Sequence, residues 1–261
     1  MADLALDTQE LVALHKTGNP PANGNNNFIT STTAQEFLGV RNAGTGRLRY
    51  WIPSELRPKS MSSLTGKEWR IFIQQHANWR PWNASRRLDK IGLYFGQDYP
   101  AVEEIGHRAI AKMVNDGESW LLGACAEIAG TRFSRITRSR MEYLEENEIL
   151  CRPLTYHSAE ASLSIFHAFT NKYAIKSNYR NSLNDILILS VARHWSMSLL
   201  TRDQLLAKFS VEYLGTSVNS IQESTTIGFG KPISPGVKMR ESKGYVNRHW
   251  NITGRRVNYH S

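Results

Sequence analysis

Four carboxylates, Asp7, Glu36, Asp185 and Asp203, follow or lie just beyond apolar runs that read as strands, or begin a buried helix. In an open parallel α/β sheet the ligand crevice lies outside the carboxyl ends of the strands. All four acids are therefore expected on one rim. Carboxylates crowded together repel, and burying them without counter-charge is costly. A divalent cation relieves both problems, and an all-oxygen donor set suits Mg²⁺ or Mn²⁺. Either the fold separates the four acids, or a divalent cation holds them, in which case all four are the expected metal ligands. Phosphodiester hydrolysis needs an activated water, a stabilised pentacovalent phosphorus and a neutralised leaving oxygen, and carboxylate-held divalent ions supply all three.

Each acid also has a purely structural reading. Asp7 and Asp203 suit helix N-caps. Thr33 to Glu36 matches a capping box, and Ser182 to Asp185 a looser form of it.

The elements that would position these acids alternate. Residues 3–6 read as a strand ending at Asp7, and a helix follows from about Gln9 to Lys16, closed by Gly18. Phe28–Thr30 is a second strand, with a helix from about Thr33 towards Val40. Helical patterns recur over 101–115, 120–129 and 133–146. A strand over 149–154 and a helix over 158–173 come next. Asp185 is expected to open a helix, Ile186 to His194, that is apolar on most sides and therefore buried. Met197–Thr201 is a strand, Gln204–Phe209 a short helix, and Val211–Leu214 a last strand. This alternation predicts a three-layer α/β/α fold around a mostly parallel sheet. Residues 1–42 and 119–215 form its core. Residues 43–118 read as a basic, Trp-rich helical insertion, and 216–261 as a basic, irregular extension that orders on binding.

Charge supports a polyanionic partner. The 261 residues carry a net charge of +9, with a pI near 9.6, and Lys and Arg release counterions when they neutralise phosphates. Within 43–118, Arg and Lys alternate with Trp51, Trp69, Trp79 and Trp82, as in surfaces that stack single-stranded bases. Packing in an added subdomain explains the same rings, and does so better for Trp69 and Trp120. Arg132, Arg135, Arg138 and Arg140 fall near one helical face, either as phosphate contacts or as a solvated surface. Arg180 lies just upstream of Asp185, where it could reach a scissile phosphate or pair with a carboxylate.

Other classes are disfavoured. Two cysteines, Cys125 and Cys151, cannot form a disulfide framework, and a reducing cytoplasm is the expected setting. No run approaches the roughly 18 apolar residues of a membrane span, and the first residues lack the pattern of a secretory signal.

Asn184-Asp185 and the apolar residues after it, then Ser198 to Thr201-Arg202-Asp203, resemble the C-terminal half of the PIN-domain nuclease family. That half has an Asp opening a buried helix, then a strand closing in Thr-x-Asp. The interval between Asp185 and Asp203 is similar to that of bacterial toxin-type members. Leu4 to Asp7-Thr8 looks like the first strand of that family, and Phe28-Ile29 followed by Thr33 and Glu36 like its second strand and glutamate. The resemblance implies a metal-dependent endoribonuclease, often the toxin of a toxin–antitoxin pair. Asp7, Glu36 and Asp185 would be the main ligands, Asp203 a fourth acid, and Thr8 and Thr201 supporting hydroxyls. RNA is the implied partner, with an inhibitory antitoxin protein and a homodimer as further expectations. Members of this type are about half this length, and neither 43–118 nor the extension has a counterpart in them. A non-catalytic RNA- or protein-binding module, or a DNA nuclease on the same scaffold, are the alternatives.

Overall fold

Alternating side chains along three central strands set the architecture. The computed structural model describes residues 3–21, 25–42, 45–50, 89–127, 129–173, 175, 179–221, 224–229 and 245–247. Strands β1 (Asp3–Leu6), β2 (Asn26–Thr30), β5 (Leu150–Arg152) and β6 (Ser198–Thr201) form a parallel block in the order β5-β2-β1-β6. The hairpin β7 (Ser217–Ile221) and β8 (Ser224–Gly228) extends it, with β8 antiparallel to β6.

Leu4, Leu6 and Ile29 enter one buried cluster, whereas Ala5, Phe28 and Leu199 enter another. Successive strand side chains point to opposite faces, so the sheet has a core on each side. On the first face lie α1 (Thr8–Thr17), α2 (Ser31–Phe37), α3 (His107–Asn115), α4 (Ser119–Glu127) and α5 (Thr131–Glu146). On the second lie α6 (Tyr156–Lys172), α7 (Tyr179–His194) and α8 (Gln204–Leu214). The protein is thus α/β with a mostly parallel central sheet covered on both faces.

Local chemistry accounts for the boundaries. Asp7 caps α1, accepting from the Thr8 N–H, and Gly18 ends that helix in the left-handed region at φ 68°. Glycine adopts this backbone without a Cβ penalty. Asp203 caps α8 by accepting from the Leu205 and Leu206 N–H groups, both at 2.9 Å. In α7, Leu183, Ile186, Leu187, Ile188, Leu189 and Val191 are all buried. Each such aliphatic side chain contributes about 1.5–3 kcal/mol by leaving water.

Several expectations change. The cap of α2 is Thr30, whose hydroxyl accepts from the Thr33 N–H at 3.1 Å, so Thr33 and Glu36 do not form a capping box. Asp185 does not open its helix. Tyr179 to Asn184 are already helical and place it in the second turn, which also removes the looser box from Ser182. Val211–Leu214 is not a strand but the last turn of α8, because Leu206, Phe209 and Ser210 are buried at helical spacing.

The segment 43–118 is not wholly helical. Strands β3 (Lys90–Tyr94) and β4 (Val102–Ile105) form a second, antiparallel sheet, and α3 packs into the first core. Nor is the extension after Gly215 wholly irregular. It supplies β7 and β8, and β9 (Tyr245–Asn247), which pairs antiparallel with β3. The expectations for Trp51, Trp69, Trp79 and Trp82 fall outside the described residues, as does the expectation of a basic extension over 230–244 and 248–261. Among the described residues, no helix is long and apolar enough to cross a membrane. Cys125 and Cys151 are buried free thiols, and burial pushes both well above the usual thiol range.

Candidate functional site

The chain leaves β1 towards β2 on one side and returns through β6 on the other, which makes the β1–β6 boundary the switch point of the sheet. Crevices outside the carboxyl ends of strands at such points hold ligands. The ladder continues one step past β1, where the Asp7 N–H donates to the Leu200 carbonyl at 3.0 Å. This contact fixes Asp7 at the rim.

Hydroxyls then link the acids. Thr201 Oγ1 donates to Asp7 Oδ2 at 2.7 Å and accepts from the Asp203 N–H at 3.0 Å. The Thr8 N–H donates to Asp7 Oδ1 at 2.6 Å, and Thr8 Oγ1 donates to Glu36 Oε2, also at 2.6 Å. Asn184 Nδ2 reaches the other oxygen, Glu36 Oε1, at 2.5 Å. One continuous chain of contacts therefore runs from Asp203 through Thr201, Asp7, Thr8 and Glu36 to Asn184. It joins β1, α1, α2, α7 and β6. Asp7 and Thr201 are buried, whereas Glu36 and Asp203 are partly accessible.

The electrostatics of Glu36 are those of an under-compensated acid. Burial, with the Asp7 charge nearby, pushes its carboxyl above the usual range. The Thr8 and Asn184 hydrogen bonds and the Arg180 charge oppose this. Both hydrogen-bond donors to Glu36 are neutral. The Arg180 guanidinium instead forms an ion pair with Glu104, which projects from β4. Arg180 and Asn184 are one helical turn apart and both buried, so α7 brings the cation and the amide to one side of the site.

A buried polar network backs this arrangement. Glu104 lies 4.0 Å from Arg41 and 2.8 Å from His107 Nε2. His107 Nδ1 is 2.7 Å from Ser31 Oγ, which accepts from the Leu154 N–H at 2.8 Å. This geometry fits an imidazole protonated at Nε2, with Ser31 donating to Nδ1. Arg41 is satisfied by Gln35 and by the Gly46, Glu103 and Ile105 carbonyls. Burial alone would raise the Glu104 carboxyl. Arg180, then Arg41, and also His107 outweigh it and hold the group far below the usual carboxylate range.

Of the expected site residues, Asp7, Glu36, Thr8, Thr201 and the backbone of Asp203 are joined by these hydrogen bonds, and Arg180 acts on Glu36 through its charge. Asp185 is the residue after Asn184 and is partly accessible. Arg132, Arg135 and Arg138 are exposed on α5, and Arg138 pairs with Glu127 at 3.4 Å. Arg140 instead covers the Phe37 ring, 4.9 Å from its centroid. Two residues were missed as members of the site. Asn184 was visible only as the neighbour of Asp185. Glu104 sits in a Glu103-Glu104 pair that reads as solvated surface.

Among the described residues, no three His, Cys, Asp or Glu side chains form a group able to hold a metal ion. Asp7 and Glu36 offer two carboxylates, and Mg²⁺ is commonly held by one or two carboxylates while keeping several waters. No family model, no curated protein and no solved structure matches the chain.

Proposed function

We propose that this protein is a metal-dependent nuclease of PIN-like architecture that acts on RNA. The observation carrying the reading is the Asp7–Glu36 pair. Two carboxylates from separate elements are bridged by Thr8 at the switch point of a parallel sheet, and the donors to Glu36 are neutral. Holding like charges this way destabilises the ion-free fold, and a site keeps such a cost where a cation is to be bound.

Asp7 and Glu36 would hold Mg²⁺ or Mn²⁺, with Asp185 and Asp203 as further acids at the rim. A bound ion supplies Lewis acidity and lowers the pKa of a coordinated water. The protein's own contribution is orientation. Thr201 and Thr8 fix the two oxygens of Asp7, Thr8 and Asn184 fix those of Glu36, and Asp203 is turned by its capping bonds to α8. Arg132 and Arg135 on α5, together with the net charge of +9, favour a polyanion.

The test is divalent-dependent cleavage of total RNA, with single-stranded DNA digested in parallel. Cleavage should stop on adding EDTA and in Asp7→Asn and Asp185→Asn. Undiminished RNase activity in purified Asp7→Asn overturns the ligand assignment. A second reading, a non-catalytic RNA-binding module, is favoured by the lack of a three-ligand group among the described residues. It predicts RNA binding without Mn²⁺ uptake in calorimetry.

A further inference from the structure

Arg180 presents a puzzle of charge. It is buried, it acts electrostatically on Glu36, and it stands one helical turn from Asn184, which touches Glu36 directly. From there its charge already favours the ionised carboxylate. Arginine makes strong bidentate bonds to carboxylates. Glu36 is nevertheless held by two neutral donors, and Arg180 is committed to Glu104.

Two features enforce this commitment. Glu104 is itself fixed by His107 at 2.8 Å and lies beside Arg41, so it is not free to follow Arg180 elsewhere. Gly46 closes over the guanidinium. A Cβ there would lie 3.1 Å from Arg180 Nε and 3.3 Å from Cζ, and the loop backbone at φ 66° suits glycine. The Gly46 carbonyl in turn accepts from Arg41 at 2.9 Å. Arg180 thus lies between Glu104 on β4 and the backbone of Gly46.

We propose that Glu104 is a positioning residue for the acidic site: by holding Arg180, it keeps Glu36 available to a divalent cation. This inference rests on the metal-dependent reading above. It also gives the β3–β4 hairpin a role in the site, through one carboxylate that competes with Glu36 for the same guanidinium. Arg41 does not take over that competition, because four acceptors already hold it.

The test is Mn²⁺ binding to the full chain by calorimetry, with no substrate present. In Glu104→Gln, Arg180 is released to Glu36, and Mn²⁺ affinity falls by about tenfold or more, the scale on which a charge-assisted hydrogen bond competes. The double variant Glu104→Gln/Arg180→Gln removes the competitor and recovers most of the wild-type affinity. A merely structural Glu104 would give no such recovery, and that outcome overturns the proposal, as does unchanged affinity in Glu104→Gln. If Glu104→Gln does not fold, Arg180→Gln alone decides, because Glu104 keeps Arg41 and His107 in that variant. Affinity equal to or above wild type supports the proposal, and weakened binding by a folded Arg180→Gln refutes it. Failure of the unaltered chain to bind Mn²⁺ removes the metal-dependent reading and this inference together. Wild-type binding with an indifferent Glu104→Gln removes this inference alone.

Discussion

Replacing Thr201 by valine and by serine separates what its hydroxyl does from what its methyl does. The side chain is fully buried at the end of β6, and its hydroxyl donates to Asp7 Oδ2 at 2.7 Å while accepting from the Asp203 N–H at 3.0 Å. Valine keeps the shape and removes both bonds. A hydrogen bond to a charged group is worth about 1.5–3 kcal/mol and a neutral one about 0.5–1.5 kcal/mol, so Thr201→Val should cost about 3 kcal/mol. Serine keeps the hydroxyl and deletes one methyl, at about 1 kcal/mol including the small cavity. The expected order in urea unfolding, with EDTA present, is wild type, then serine, then valine, with about 2 kcal/mol between the last two. Such a gap is a large part of a typical stability of about 5–15 kcal/mol. Calorimetry with Mn²⁺ on the same proteins should show weakened binding for valine and near-normal binding for serine. Valine as stable as serine, or more so, would refute the hydroxyl bridge and the ordered acid pair built on it.

Glu36→Gln should stabilise the ion-free protein at neutral pH. The folded carboxyl titrates above its unfolded value, so its favourable contribution is complete below the unfolded pKa and is lost as pH rises through the folded one. The advantage of glutamine, read from melting curves, should therefore vanish at acidic pH, and an advantage that grew on acidification would contradict the sign. Arg132→Glu should raise stability slightly, by about 0.3–1 kcal/mol, because the first turn of α5 has no acidic residue to meet the helix dipole. The same change should weaken RNA binding and flatten its salt dependence, and unchanged binding would remove Arg132 from the interface. Neither Cys125 nor Cys151 should react with a thiol reagent at mild alkaline pH until the protein is unfolded, when both should; rapid native labelling would contradict their burial.

Legibility followed the range of the interactions involved. β1, α1, β2, β5, α6 and β6 carry local signals, namely apolar runs, caps and a terminal glycine, and could be read in order; the buried body of α7 could be read too, but its start, six residues before Asp185, could not. The rim position of Asp7, and the capping role of Asp203, came with them. Elements that depend on distant partners were hidden. β3 and β4 look like the approach to a helix until β9 is known to pair with β3. The hairpin of β7 and β8 consists largely of Ser, Thr and Asn, so hydropathy fades there while pairing with β6 persists. Val211–Leu214 is too short for its period to distinguish helix from strand. Glu104 gave no signal at all, because an acid's value to a buried arginine exists only after α7 and β4 are brought together.

The order of synthesis meets the parallel pairing of β1 with β6, where Leu4 lies opposite Ser198. Thr201, which orients Asp7, is translated 194 residues after it. At roughly 5–20 residues per second, the ribosome leaves the first strand waiting for about 10–40 s. During that interval a nascent chain lacks one side of its central strand and the hydroxyl that aims its first acid. On the nuclease reading proposed above, the acid site would stay unformed until β6 has emerged and paired with β1.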